Sequence, residues 1–380
     1  MSDRPTAAPA ADAAPTPDAD PIDPIFAWDA LPSVRGDRPG TGGRIRSVPE
    51  DFVVVERPAY TPSGRGSHLY LRVRKRGLAT RDLVRALREA GVPENRVGVA
   101  GLKDKHAVTE QWLSVPWASR DAADALAALD GVEVLETSRH TNKLGVGHLH
   151  GNRFTVVVRD VAPDAVARAR AILDAIAEHG LPNYVGPQRF GRFGRNAVDG
   201  RALLRGETVP GDRRLQRFFV SALQSWIFND VLAARVRDGH LGSLVTGDWA
   251  RKVATGGTFR VDDPDAERPR AAAFEITALL PLHGRKVRIS DGEAGAYERA
   301  ALARAGVRWE DFRRRHGDRR PSRVAVGGID VADATGDDGV PAIRVAFDLP
   351  KGAYATSLLR EVTGLPVDEP TPSPHAGGAA

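Results

Sequence analysis

The chain has 380 residues, 42% of them hydrophobic, a formal charge of +5 and no cysteine. It is long enough for two structured domains with real cores, and the missing thiols exclude disulfides, thiol catalysis and cysteine-ligated zinc or iron–sulfur centres. Residues 1–24 carry five Asp against one Arg and the C-terminal tail adds Asp368 and Glu369, so the body between is more basic than the total and suits a polyanionic partner, although an Arg-rich composition alone points equally to coding bias.

Residues 1–24 and 367–380 are Ala, Pro, Asp and Thr with almost no large apolar side chain, and are expected to be disordered. No apolar run approaches the roughly 20 residues that span a bilayer. The N-terminus lacks the charged-then-apolar order of a signal peptide. A cytoplasmic protein with no membrane contact is expected.

In chain order, Pro49-Glu50-Asp51 signals a turn before the β-rich run Phe52–Val55. Leu69–Arg74 alternates aliphatic with basic or amphipathic residues and predicts a half-exposed strand. Thr80 is expected to cap a helix whose apolar positions Leu83, Val84 and Leu87 have helical spacing and which Gly91 ends. Short strands are expected at 97–100, 112–115, 132–137 and 154–158, with helices over 121–129 and from an Asp164 cap to about Glu178. Residues from about 190 to 315 read as helix-rich, with an almost all-round apolar helix over 217–237 and breaks at 239–247 and 262–265. Strands return at 323–326 and 343–349, followed by a helix over 356–363. This is an α+β pattern. Strand-rich ends around a distinct middle predict an insertion: residues 25–188 and 319–366 form one discontinuous domain, and 189–318 a second.

The stretch richest in chemistry is Ala100-Gly101-Leu102-Lys103-Asp104-Lys105-His106-Ala107-Val108-Thr109. A strand ends in Gly101 and polar groups crowd the loop after it, where functional residues concentrate. Lys103 and Lys105 flank Asp104 and favour its ionised form, which suits a nucleophile or general base. By spacing alone a turn aspartate is the commoner explanation, and His106 and Glu110 rival it as acid–base groups.

The same stretch resembles the signature of the TruD family of pseudouridine synthases. Four further segments resemble family motifs in the same order: Pro49–Glu56, Gly151-Asn152-Arg153-Phe154-Thr155, Pro182–Gly191 and Gly352-Ala353-Tyr354-Ala355-Thr356-Ser357. The resemblance runs from about residue 40 to 364. It implies a pseudouridine-synthase catalytic domain, a mixed sheet with packed helices, and a family-specific α/β insertion. It implies a tRNA substrate, usually at uridine-13 in the D-arm region. That chemistry requires no redox change, metal or phosphate donor, so no cofactor is expected, and neither is an obligate protein partner; a monomer is expected. Asp104 falls at the family's catalytic aspartate. Phe52, Asn152 and Phe154 fall at positions around the target nucleotide. Two positions depart from the pattern: Arg46 stands where a Lys is expected, and Tyr354 where a Phe is expected. Arg keeps the charge in a different geometry, and Tyr keeps a stacking face.

The isomerisation moves the ribose from N1 to C5 of uracil, so the uridine must leave its stack. Phe52, Phe154 and Tyr354 are candidate stacking faces, although Phe52 and Phe154 lie in strand-like segments where a core role is the commoner one. Asn152 is a candidate reader of the base edge, and Arg46 a candidate partner for Asp104. Lys103, Lys105, Arg189 and Arg192 are candidates for the RNA backbone, the last two in a groove between the domains. His148 and His150 lack a third ligand for zinc. The Arg313-Arg314-Arg315-His316 and Arg319-Arg320 cluster reads equally as a solvated face or a phosphate clamp. Two other functions fit part of the sequence. One is an inactive RNA-binding module of the same fold. The other is a carboxylate-dependent nucleoside or glycoside hydrolase, for which Glu110 is the only nearby second carboxylate.

Overall fold

The computed structural model describes residues 28–191, 194–335 and 339–365; both tails and Arg192 lie outside them. The first part of the chain folds as β1 (Arg44–Ile45), β2 (Phe52–Pro58), β3 (His68–Arg76), α1 (Thr80–Glu89), β4 (Gly98–Val99), β5 (Val108–Pro116), α2 (Asp124–Ala127), β6 (Val132–His140), β7 (Leu149–Arg159) and α3 (Ala165–His179). A two-residue β8 (Leu181–Pro182) leads to α4 (Arg195–Leu204), α5 (Arg213–Arg237), β9 (Trp249–Lys252), β10 (Thr258–Arg260), α6 (Pro264–Ala272), β11 (Ile276–Leu282), α7 (Gly292–Arg304) and β12 (Asp318–Pro321). The chain then returns through β13 (Arg323–Val324), β14 (Gly327–Asp333), β15 (Ala342–Pro350) and α8 (Ala355–Thr363).

The principal sheet has the order β14-β15-β7-β2-β5-β3-β6, with β1 added to β7 and β4 to β5. Its strands come only from the two ends of the chain. All pairs are antiparallel except β2 with β5. Residues directly opposite on neighbouring strands share a face. The register therefore aligns Val54, Phe154 and Phe347 in one row and Glu56, Asn152 and Leu349 in the next. The apolar residues of this face pack with Ala169, Ile172 and Leu173 of α3 and Leu358, Leu359 and Val362 of α8 in one buried core. Gly151 is required where β7 meets β15, because a Cβ there would lie 2.1 Å from the Leu349 carbonyl oxygen.

The middle of the chain is helical where its apolar periodicity is strong. Thus α5 buries Phe219, Leu223, Trp226, Ile227, Phe228 and Val231. It also contains a four-stranded antiparallel sheet, β10-β9-β11-β12, that the helix-rich expectation misses. Because β12 belongs to that sheet, the segment extends to Pro321, slightly past the expected boundary at 318. The break expected at 262–265 starts a helix instead, with the Asp263 carboxylate accepting from the backbone N–H groups of Asp265 and Ala266.

Two expected caps differ. The N-cap of α1 is Ala79, and the Asp82 carboxylate accepts its N–H at 2.7 Å. Asp164 stands at the N-cap of α3 but makes no capping bond and pairs with Arg168 at 2.7 Å. In the half-exposed strand expected at 69–74, Arg72 and Arg74 face outward but Tyr70 is enclosed, as is Lys75 beyond it. No described helix is long and apolar enough to cross a membrane.

Candidate active site

Asp104 lies on the loop between β4 and β5. Its Oδ2 is 3.3 Å from Nη2 of Arg46, and its Oδ1 accepts the backbone N–H of His106 at 3.1 Å. Arg46 has a positive φ of 60°, a region costly for a side-chain-bearing residue. Its side chain is 9% exposed, and its guanidinium lies 4.2 Å from the centre of the Phe52 ring. The Nε and Nη1 donors of Arg46 are buried without a partner. Buried donors are rarely left unpaired, so this guanidinium is poised for a further acceptor.

The turn before β2 fixes Arg46 and Phe52. Asp51 is buried, takes a two-pronged bond from Arg159 at 2.7–3.1 Å and accepts the Val48 N–H at 3.1 Å. A bidentate arginine–carboxylate pair fixes orientation as well as charge. Glu50 pairs with Arg76 at the surface.

The loop that carries Asp104 is tied down from beneath. Lys75 of β3, with no exposed surface, donates to the carbonyls of Leu78 and, at 2.7 Å, of Asp104 itself. Burial pushes the Lys75 ammonium down to about 8, against the opposing attraction of Asp104 and Asp82. The Thr80 hydroxyl accepts the Lys103 N–H at 2.8 Å and donates to Oε1 of Gln111 at 2.9 Å, so it serves the loop and not the helix end. Lys75 was not a sequence candidate. A lysine in an alternating strand reads as a solvent-facing residue, and no local signal marks the exception.

Lys103 does not fit the expected place on the RNA backbone. Its side chain is 6% exposed, and its ammonium pairs with Glu56 at 2.8 Å and donates to Oδ1 of Asn152 at 2.8 Å. Glu56 and Asn152 are opposite each other in the β2–β7 register, and Lys103 bridges them. An ammonium only donates, so it fixes the Asn152 oxygen inward and leaves the amide NH2 to donate elsewhere. Lys105 is exposed.

Phe52 and Phe154 meet edge to face at 6.2 Å, and Phe154 stacks on Phe347 at 5.2 Å. They are 3% and 8% exposed, which is the burial of core side chains. Tyr354 belongs to a second group. It is half-buried against Gly186, where a Cβ would come within 3.3 Å of its ring, and its centre is 5.7 Å from the Arg320 guanidinium. Arg320 donates to the carbonyls of Asn183, at 3.0 Å, and Gly352, at 2.9 Å, and burial lowers it to about 10. It is thus an internal tether joining two sequence motifs, and neither a solvated residue nor a phosphate clamp. Arg189 is half-buried, with its guanidinium 5.2 Å from the Phe218 ring.

The rival groups are placed otherwise. Glu110 is opposite Val55, so it projects from the face away from Glu56 and Gln111. Arg72 and Arg74 hold it at 2.6 and 2.9 Å. Partial burial acts to raise its pKa, but the hydrogen bonds from Arg74 and Arg72 prevail and keep it below the usual carboxylate range. His106 is exposed. His148 shares a hydrogen bond of 2.9 Å between Nδ1 and the Tyr60 hydroxyl.

The family model described as tRNA pseudouridine synthase D (TruD) matches residues 34–210 and 211–362. The tRNA pseudouridine synthase D of Anaeromyxobacter dehalogenans (strain 2CP-C) is 50% identical over 341 residues, covering 88% of this chain and 96% of that protein. A protein of the same name from Thermus thermophilus is 48% identical over 342 residues, covering 90% and 94%. A crystal structure from Methanosarcina mazei, solved as a candidate tRNA pseudouridine synthase D, superimposes with a TM-score of 0.76 at 24% identity, covering 91% of this chain and 99% of that one.

Proposed function

The chain belongs to the TruD family of tRNA pseudouridine synthases and is an RNA-modifying isomerase that converts uridine in tRNA, and from that premise we propose that its target is uridine-13 and its catalytic group Asp104. The observation that carries the assignment is the support of one carboxylate: Asp104 is faced by Arg46 at 3.3 Å, and its own carbonyl is gripped by buried Lys75 at 2.7 Å. We take residues 25–188 and 322–366 as the catalytic domain and 189–321, the end of β12, as the insertion, in a cytoplasmic enzyme.

The reaction breaks the C1′–N1 bond and forms C1′–C5 with loss of the C5 proton and gain of one at N1. Atoms and electrons balance within the nucleotide, so no cofactor is needed. Asp104 acts either by attack on C1′ or by taking a proton from C2′. Arg46 orients the carboxylate, and its two free buried donors meet an oxygen of the flipped nucleotide. The Asn152 amide NH2, set by Lys103, donates to a uracil carbonyl. We assign stacking to the open part of Tyr354, while Phe52, buried 4.2 Å beneath the Arg46 guanidinium, supports that guanidinium from below. Phe154 buttresses Phe52. Lys105 and Arg189 serve the phosphates. The hydrolase alternative needs a second carboxylate opposing Asp104, and the direction in which Glu110 projects disfavours it.

The test is mass-resolved mapping of pseudouridine in unmodified tRNA treated with the wild-type protein and with Asp104→Asn. Product at uridine-13 from the wild type, and none from a variant that still binds tRNA, is expected. Turnover by Asp104→Asn would refute the catalytic assignment, and release of free uracil would establish the hydrolase.

A further inference from the structure

A cleft of about 760 Å³ is lined by residues between Gly247 and Arg319. Its floor is one face of the four-stranded sheet. In the register, Arg260 and Leu279 flank Trp249, and Arg251 follows two residues along the same strand. The opposite face carries Ala250, Phe259 and Ala278, packed into an apolar core with Leu244 and Ala271. The cleft face therefore needs no covering helix for stability, and what it presents is a tryptophan surrounded by cations.

Arg319 approaches the Trp249 ring at 5.2 Å, and Lys286 and Arg288 reach the cleft from the loop ahead of α7. Five basic residues line the cleft against two carboxylates, Asp291 and Asp318, and Asp291 is already paired with Arg260 at 2.8 Å. Arg251, Lys286 and Arg288 are exposed and have no carboxylate partner among the described residues. The cleft also adjoins the groups around Tyr354 through a single strand. Arg319 turns into it, and the next residue of β12, Arg320, turns the opposite way to Asn183 and Gly352.

Arg319 also reaches Glu298 at 3.9 Å, which leaves Arg251, Lys286 and Arg288 as the free cations among the described residues of the cleft, and such cations beside an aromatic side chain on an open sheet face have the chemistry that holds unstacked nucleotides. Phosphates release counterions there, and a base finds a π face. We propose that this cleft binds a single-stranded segment of the tRNA other than the target uridine, with a base at Trp249 and phosphates between Arg251, Lys286 and Arg288. The identity of the RNA, though not the chemistry of the cleft, rests on the tRNA reading above.

The test uses the intact chain and unmodified tRNA. The triple variant Arg251→Ala, Lys286→Ala, Arg288→Ala changes only exposed side chains. It is expected to raise Kd roughly tenfold or more and to reduce the dependence of log Kd on log salt by about 2, at roughly 0.7 per single-strand phosphate. The single-turnover rate at saturating tRNA is expected to stay unchanged. Trp249→Leu is expected to weaken binding roughly five- to hundredfold, and Trp249→Phe to restore most of it. Unchanged Kd and salt slope in the triple variant, while the wild type makes pseudouridine, would overturn the cleft and leave the isomerase reading standing. Weakened binding in the variant of a protein that makes no pseudouridine would support the cleft and sink the other reading. Competition by millimolar UMP for the cleft, with tRNA binding indifferent to all these variants, would reassign the cleft to a free nucleotide and refute the proposal.

Discussion

Lys75 offers a direct check on how the loop bearing Asp104 is held. The folded protein lowers this lysine from its ordinary 10.5 to about 8, chiefly by burial. Below pH 8 both folded and unfolded chains carry the proton, and the fold bears the full cost of enclosing the charge. Between pH 8 and 10.5 the native lysine is neutral while the unfolded one is still protonated, so stability rises with pH. A shift of that size corresponds to about 3 kcal/mol across the window, as an upper bound. Chemical denaturation of the wild type and of Lys75→Met at half-unit steps from pH 7 to 10.5 separates this contribution from every other titration. The wild-type stability minus that of the variant should climb by up to about 3 kcal/mol. A flat difference would refute the enclosed ammonium. The variant also frees the carbonyls of Leu78 and Asp104, so its turnover should fall about 10- to 100-fold with little change in KM, by misplacement of the loop.

Two further outcomes follow from the geometry. Asp51→Ala removes the bidentate partner of Arg159 and the acceptor for Val48 N–H; a loss of about 1–3 kcal/mol in urea denaturation is expected because charge-assisted bonds to a buried carboxylate are removed, and a loss under about 0.5 kcal/mol would show them to be dispensable. Arg189→Glu should weaken tRNA binding and flatten its salt dependence by about one phosphate contact, with Arg192→Glu expected to act alike; filter binding across a potassium chloride series checks both, and unchanged slopes would remove the Arg189 groove from the RNA path.

The elements around the site were largely legible because they follow strong local rules. The β-branched run after Pro49-Glu50-Asp51 forms β2, and α1, α3 and α8 follow their apolar spacing. What was not legible depends on tertiary burial. Trp249–Lys252 and Thr258–Arg260 are short and basic, so no apolar run announces them; they are strands because the register on Ile276–Leu282 makes them so. Thr80 and Lys103 carry the chemistry expected of a cap and a phosphate contact, yet each is consumed by the loop it helps to fix. Arg46 and Asp104 are 58 positions apart by number, and only the folded β1–β2 turn brings them together.

The pairing of β7 with β15 also bears on how the molecule is made. Arg159 is aligned with Ala342, and about 180 residues separate them, which take about 10–40 s to synthesise at roughly 5–20 residues per second. During that interval Val156 and Val158 lie on an open strand edge without the partner that later shields it, and α8, which completes the same core, has not emerged. The nascent chain is therefore most prone to intermolecular pairing midway through translation, when its principal sheet is built on one side only.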